Sequence, residues 1–226
     1  MGWAGRGLGL MPTEAMDERR AVGILGGTFD PVHVGHLALA HEAHRALGLG
    51  RVLFVPNAQP PHKPADEVSP ARHREAMLAL AIADEPAFAV SRLELERAGP
   101  SYAVDTVADL AAQSRAEGRP APWFILSAEV LDDFHTWREP LRILELCRVA
   151  VSPRLGAEPL DRAWLTEHYP GHEDRFAFLP GPVMDVASTA IRGRVAAGQS
   201  ITGLVPPAVE RYIRETGLYR LTPGEG

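Results

Sequence analysis

Short apolar runs alternate with stretches of helical spacing along most of the chain. AVGIL (21–25) is a continuous apolar run that predicts a buried strand, and residues 36–47 follow with helical spacing that stops near Gly48. RVLFVP (51–56) predicts a second strand. The loop 57–68 is dense in Pro and polar residues, and Ser69-Pro70 supplies an N-cap and a first-turn proline for a helix through residue 83. FAVSRLELE (88–96) alternates like a strand, and 103–117 is helical, ending at Gly118. WFILS (123–127) and RVAVS (148–152) predict two more buried strands, FAFLP (176–180) a last one, and 189–197 and 207–216 two closing helices. This alternation predicts an α/β domain, a doubly wound parallel sheet with helices on both faces and a small C-terminal helical segment. Ligands in such sheets bind beyond the carboxyl ends of the strands, where strand order reverses. The loop after the first strand is therefore the first place to search for chemistry.

Length and composition narrow the class. The 226 residues suit one domain, with 46% hydrophobic and 23% charged residues. We expect a disordered extension over 1–20, a single domain over 21–220 whose helical end begins near 188, and a tail over 221–226. The opening MGWAGRGLGLMPTEAMDERR lacks the apolar core of a signal peptide, and Arg6 stands where a myristoylation signal wants Ser or Thr. A start site placed too early is the alternative reading, with Met11 and Met16 as other starts. No apolar run is long enough to cross a bilayer. Cys147 is the single cysteine, which leaves no disulfide framework and no cysteine-based zinc site and suits a reducing cytoplasm. The formal charge of −6 argues against a protein built to grip nucleic acid, but not against small anionic ligands, which local dipoles and a few cations can meet. Oligomeric state is open, a homo-oligomer included.

The loop after the first strand reads GGTFDPVHVGH (26–36). Gly26 and Gly27 allow close approach of backbone to ligand. His33 and His36 lie three apart, with His36 at the start of the next helix, where free N–H groups and the helix dipole favour an anion. Two imidazoles beside them add donors that can follow charge through a reaction. The loop is neither a Walker A sequence nor the Gly-x-Gly-x-x-Gly dinucleotide pattern. A tight turn carrying two surface histidines is the plainer alternative. A metal site is another, since His41, His44, Asp30 and Glu42 are close in sequence. But His41-Glu42-Ala43-His44 is one residue short of the zinc-protease spacing, and on a helix His41 and His44 point away from His33. No protein-held metal is expected.

A second candidate anion site lies in ASTAIRGRV, with Ser188 and Thr189 at a helix N-terminus and Arg192 one turn in. An ordinary capped helix is the alternative. PPHK places His62 and Lys63 on a proline-stiffened loop, either solvated or at the rim of a site.

GGTFDPVHVGH resembles the signature of the nucleotidyltransferase superfamily with the His-x-Gly-His motif. Within it, the chain is similar to bacterial nicotinate-nucleotide adenylyltransferases over 22–219. VPNAQPPHK (55–63), GPSYAVDT (99–106), the Thr136-Trp137 pair, ASTAIR (187–192) and the closing LVPPAVERYIRETGLY fall in that family's order. The resemblance implies a Rossmann-like fold and transfer of AMP from ATP to nicotinate mononucleotide, giving deamido-NAD and pyrophosphate. It implies catalytic roles for His33, His36 and Arg192. ATP contacts would fall on Gly26, Gly27, Thr28, Phe29, Ser127, Glu129, Ser188 and Thr189, with the Ser188–Arg192 turn holding the β- and γ-phosphates. Substrate contacts would fall on Lys63, Tyr102, Thr106 and Trp137, with Trp137 stacking on the base. Mg²⁺ would be bound mainly through the substrate phosphates. The nearest alternatives are an adenylyltransferase for nicotinamide mononucleotide or phosphopantetheine, and a nucleotide-binding regulator without catalysis. Two positions depart from the family pattern. Ser127-Ala128-Glu129 stands where Gly-x-Asp is usual, next to the expected ribose contact, and Ala103 stands where Thr is common.

Overall fold

A computed structural model describes residues 19–59, 68–153, 156, 160–181 and 184–220. The first half of the described chain runs β1 (Val22–Gly27), α1 (Val34–Leu47), β2 (Arg51–Pro56), α2 (Ala71–Ala81), β3 (Phe88–Val90), α3 (Leu93–Glu96) and α4 (Ala103–Ala116). The second half runs β4 (Trp123–Ser127), α5 (Ala128–Asp132), α6 (Pro140–Leu146), β5 (Arg148–Ser152), α7 (Arg162–His168), β6 (Phe176–Phe178), α8 (Ser188–Ala196) and α9 (Pro207–Thr216).

The six strands form one sheet in the order β3-β2-β1-β4-β5-β6, every neighbouring pair parallel. Side chains alternate across a strand, so each strand feeds two cores. On one face, Leu25, Phe54 and Ile125 pack with Ala40 and Ala43 of α1, Met77 of α2, and Ile191, Val209 and Ile213 of α8 and α9. On the other, Ile24, Val55, Phe124, Val149 and Val151 pack with Val107 and Leu110 of α4 and Ile143 and Leu144 of α6. α1 ends at Gly48, which takes the left-handed conformation (φ 58°) that a Cβ disfavours.

The segment 88–96 departs from the expected single strand. Pairing with β2 ends at Val90, and Leu93–Glu96 turns into a short helix that carries Glu94 inward. Ser69 does not cap α2, which begins at Ala71 after Pro70. Its backbone N–H is instead taken by Asp30 and its carbonyl by Arg74. The expected tails lie largely outside the described residues, as does His62-Lys63. Among the described residues, no helix is long and apolar enough to cross a membrane.

Candidate active site

β1 and β4 are the central neighbours from which the chain winds outward in opposite directions, so their carboxyl ends open a crevice. A cleft of about 960 Å³ occupies that place. Gly26, Gly27, Thr28, His33 and His36 line it from the first loop and the turn into α1, Ser127 from the end of β4, Glu129 from the first turn of α5, and Tyr102, Thr106 and Trp137 from the helical side.

The two histidines are held as a pair. Their rings stack with centroids 3.6 Å apart, and the His33 backbone N–H donates to His36 Nδ1 at 3.2 Å. Accepting at Nδ1 leaves the His36 proton on Nε2, which fixes one tautomer. Phe29 supports the His36 ring from behind, edge-on at 4.9 Å. Gly35 permits this close packing: a Cβ there would lie 3.1 Å from His33 Nδ1, and the ring would have to give by a few tenths of an ångström. Burial holds the His33 pKa down at about 4, and burial followed by the nearby His33 holds His36 well below its ordinary value. Both rings are therefore neutral near pH 7 and act as hydrogen-bonding groups whose affinity for a proton rises when an anion arrives. His33 Nδ1 is buried and faces the first turn of α1, beside Gly35.

The loop carrying the pair is clamped from four directions. Arg74, fully buried in α2, donates to the Thr28 carbonyl at 2.9 Å. Asp30, also buried, accepts from the Tyr219 hydroxyl at 2.6 Å and from the Ser69 backbone at 2.9 Å. From α8, Ser188 Oγ donates to the Pro31 carbonyl at 2.9 Å and Arg192 Nη1 to the Asp30 carbonyl at 2.8 Å. Behind the pair, the Val34 backbone N–H donates to the Leu204 carbonyl at 3.0 Å. Burial, and then the Asp30 bond, push the Tyr219 phenol far above its ordinary range, so it remains a donor.

The opposite end of the cleft is aromatic. Trp137 packs against Phe134 at 5.3 Å and Phe124 at 5.9 Å, half-buried, with part of its indole at the cleft. Tyr102 precedes the first residue of α4, and the Arg138 guanidinium sits 4.8 Å from its ring centroid. Beneath them Thr106 donates to Glu94 at 2.7 Å and accepts from Arg97 at 3.1 Å. Burial raises the Glu94 pKa, against the pull of Thr106, Ser101 and Arg97. Ser101 also accepts from the Ala58 backbone at 3.0 Å, which ties the loop after β2 to the start of α4.

The expected residues thus divide. Ten of them share the cleft wall. Phe29 is not among the lining residues: its side chain is buried behind His36, where it shapes the site. Thr106 lies at the wall, with its hydroxyl committed to Glu94 and Arg97. Ser188, Thr189 and Arg192 stand beside the first loop rather than among the lining residues, and two of them are engaged with its carbonyls. Lys63 lies outside the described residues. The sequence reading missed Asp30, Arg74 and Tyr219 as loop clamps, and Glu94, Ser101, Arg138 and Asp185 at the cleft. The one available signal was an arginine and an aspartate placed where the apolar pattern demanded burial. His41 faces Glu85 and the Phe88 ring, away from the pair. Among the described residues no group of three His, Cys, Asp or Glu side chains is placed to hold a metal.

Comparison with known proteins bears on this site. Residues 24–194 match the cytidylyltransferase-like family. The chain is 45% identical over 199 residues to a probable nicotinate-nucleotide adenylyltransferase of Roseiflexus sp. (strain RS-1), covering 88% of this chain and 98% of that protein. It is 41% identical over 197 residues to one from Dehalococcoides mccartyi (strain CBDB1), covering 87% and 96%. The chain belongs to the nicotinate-nucleotide adenylyltransferase branch of the cytidylyltransferase-like family. The fold is shared more widely. The nicotinic acid mononucleotide adenylyltransferase of Plasmodium falciparum, solved in complex with NaAD, superposes with a TM-score of 0.70 at 18% identity, covering 89% of this chain and 98% of that one. Ser127 at the end of β4, Glu129 in the first turn of α5 and Ala103 at the first turn of α4 all line the cleft.

Proposed function

We propose that this member of the adenylyltransferase family joins ATP to nicotinate mononucleotide, giving deamido-NAD and pyrophosphate, as a step of NAD synthesis in the cytoplasm. The observation that carries the reading is the neutral, stacked His33–His36 pair, set at the switch point of the sheet and facing a cleft with an aromatic far wall. A phosphate oxygen of the mononucleotide attacks the α-phosphorus of ATP. The new P–O bond forms as the bond from that phosphorus to the bridging oxygen of pyrophosphate breaks. The nucleophile is already ionised, so no protein nucleophile or strong base is needed, and rate comes from positioning and charge stabilisation.

His36 Nε2–H and the His33 ring donate to the α-phosphate and attacking oxygens. Gly26 and Gly27 leave room for the nucleotide over β1, with Thr28 beside them, and Glu129 accepts from the adenylate ribose. The Ser188–Thr189 turn and the remaining N–H groups of Arg192 receive the departing pyrophosphate, while Trp137 and Tyr102 take the flat base. Mg²⁺ would arrive with the ATP phosphates rather than on protein ligands. When bound, it shields the charge between phosphate oxygens.

The test is pyrophosphate release with ATP, Mg²⁺ and a panel comprising nicotinate mononucleotide, nicotinamide mononucleotide and phosphopantetheine. Fastest turnover with the nicotinate substrate is expected. No release with any of the three would refute catalysis, and a preference for phosphopantetheine would move the chain to another substrate class.

A further inference from the structure

We infer that Arg138 selects the acid over the amide: its guanidinium is the cation that a carboxylate on the pyridine ring meets. The inference rests on the adenylyltransferase reading above and adds to it the group that decides which base is accepted.

Among the described residues lining the cleft, the carboxylate-bearing ones are Glu94, Glu129 and Asp185, and Arg138 is the only Arg or Lys. An anionic ring entering this wall meets one positively charged side chain. That side chain is placed where the ring is expected. Arg138 follows Trp137 directly, and its guanidinium lies over Tyr102, 4.8 Å from the ring centroid. Trp137, Tyr102 and Ala103 are its neighbours at the wall, so the cation stands beside the two aromatic surfaces and the positive end of α4. Position 103 carries no hydroxyl in this chain, which removes one side-chain donor from that corner.

The cation is only weakly engaged. Its ion pair is with Glu139 at 3.6 Å, both side chains more than half exposed, a contact that contributes little in water. Stacking on Tyr102 orients the guanidinium without using its N–H donors. A carboxylate offers that fork two acceptor oxygens and a full negative charge. A carboxamide offers one acceptor, no net charge, and an NH₂ that opposes the guanidinium donors. The same side chain therefore attracts one base and discriminates against the other.

The test is Arg138→Gln and Arg138→Lys, with kcat/KM measured for nicotinate and nicotinamide mononucleotides, the KM for ATP, and urea midpoints as a check on folding. For Arg138→Gln we expect about a tenfold fall with the nicotinate substrate and less than about twofold change with the nicotinamide one, the scale of a partly solvated bond between charged groups. Arg138→Lys should retain part of the preference, because it keeps the charge and loses the fork. The KM for ATP should not move. Rising salt should lower the parent's kcat/KM for the nicotinate substrate more than that of Arg138→Gln. An unchanged ratio between the two mononucleotides in Arg138→Gln, or an equal fall for both, would overturn the inference while leaving the adenylyltransferase reading intact. A parent protein that turns over neither mononucleotide would overturn both.

Discussion

Gly35→Ala isolates the geometry of the histidine pair from its chemistry. The added Cβ would lie 3.1 Å from His33 Nδ1 and 3.2 Å from Cε1, with Met184 Cβ at 3.8 Å on the other side. Non-bonded carbon contacts settle near 3.5 Å or beyond, so the His33 ring must retreat by about 0.4 Å. It cannot do so freely, because His36 is stacked on it at 3.6 Å. A misplacement of about 1 Å costs roughly a hundredfold in rate, so a few tenths should lower kcat about five- to tenfold. Stability should barely register the change. Alanine in α1 gains up to about 1 kcal/mol of helix propensity over glycine, offsetting a crowding cost of similar size. Gly193→Ala in α8 is the control, since its Cβ would meet nothing within 4 Å. That variant should gain about 0.5–1 kcal/mol in urea unfolding with kcat unchanged. Single-turnover pyrophosphate release with both substrates saturating reads the difference. A Gly35→Ala enzyme with the parent's kcat would refute the reasoning, because the pair could then shift without loss of rate.

Three other outcomes are expected. Trp137→Ala should raise the KM for the mononucleotide severalfold, the loss of a stacking face being worth on the order of 1 kcal/mol, with the KM for ATP little changed; equal shifts in steady-state titrations would make Trp137 a packing residue. Because the folded pKa of His33, about 4, lies below its unfolded value near 6.5, its neutral form stabilises the fold fully above pH 6.5, and this stability is lost as pH falls toward 4. That is about 2 kcal/mol by pH 5, visible as a steeper fall in urea stability between pH 7 and 5 for the parent than for His33→Asn; identical slopes would count against it. Tyr219→Phe removes the 2.6 Å donor to buried Asp30 and should cost about 1.5–3 kcal/mol with a lower kcat; an unchanged urea midpoint would show that the clamp is dispensable.

Much of the sheet was legible because each strand is a short apolar run ended by a loop. RVLFVP, WFILS and RVAVS match β2, β4 and β5 residue for residue. The segment 88–96 was misread because alternation fits a strand and does not reveal where pairing stops. Here Glu94 turns inward to meet Thr106, a contact 12 residues away in sequence. Ser69 looked like a cap because its chemistry suits one, but its backbone groups answer to Asp30 and Arg74. The pair itself was legible, since eleven ordered residues carried it. Its supports were not, because Asp30, Arg74 and Tyr219 meet only in three dimensions. Phe29 illustrates the limit: it sits within the motif, yet it works from beneath His36.

The Tyr219–Asp30 bond spans 189 residues, which gives the site a birth order. At ribosomal speeds of roughly 5–20 residues per second, the histidine loop waits about ten to forty seconds for its final tie. Until Tyr219 has left the exit tunnel, Asp30 lacks its closest partner and α9 cannot cover α2. A nascent chain therefore holds its histidine loop without the Tyr219 tie until the last helix has emerged. The same geometry governs fusions: cargo joined beyond residue 220 must leave the Tyr219 side chain free to turn back into the fold.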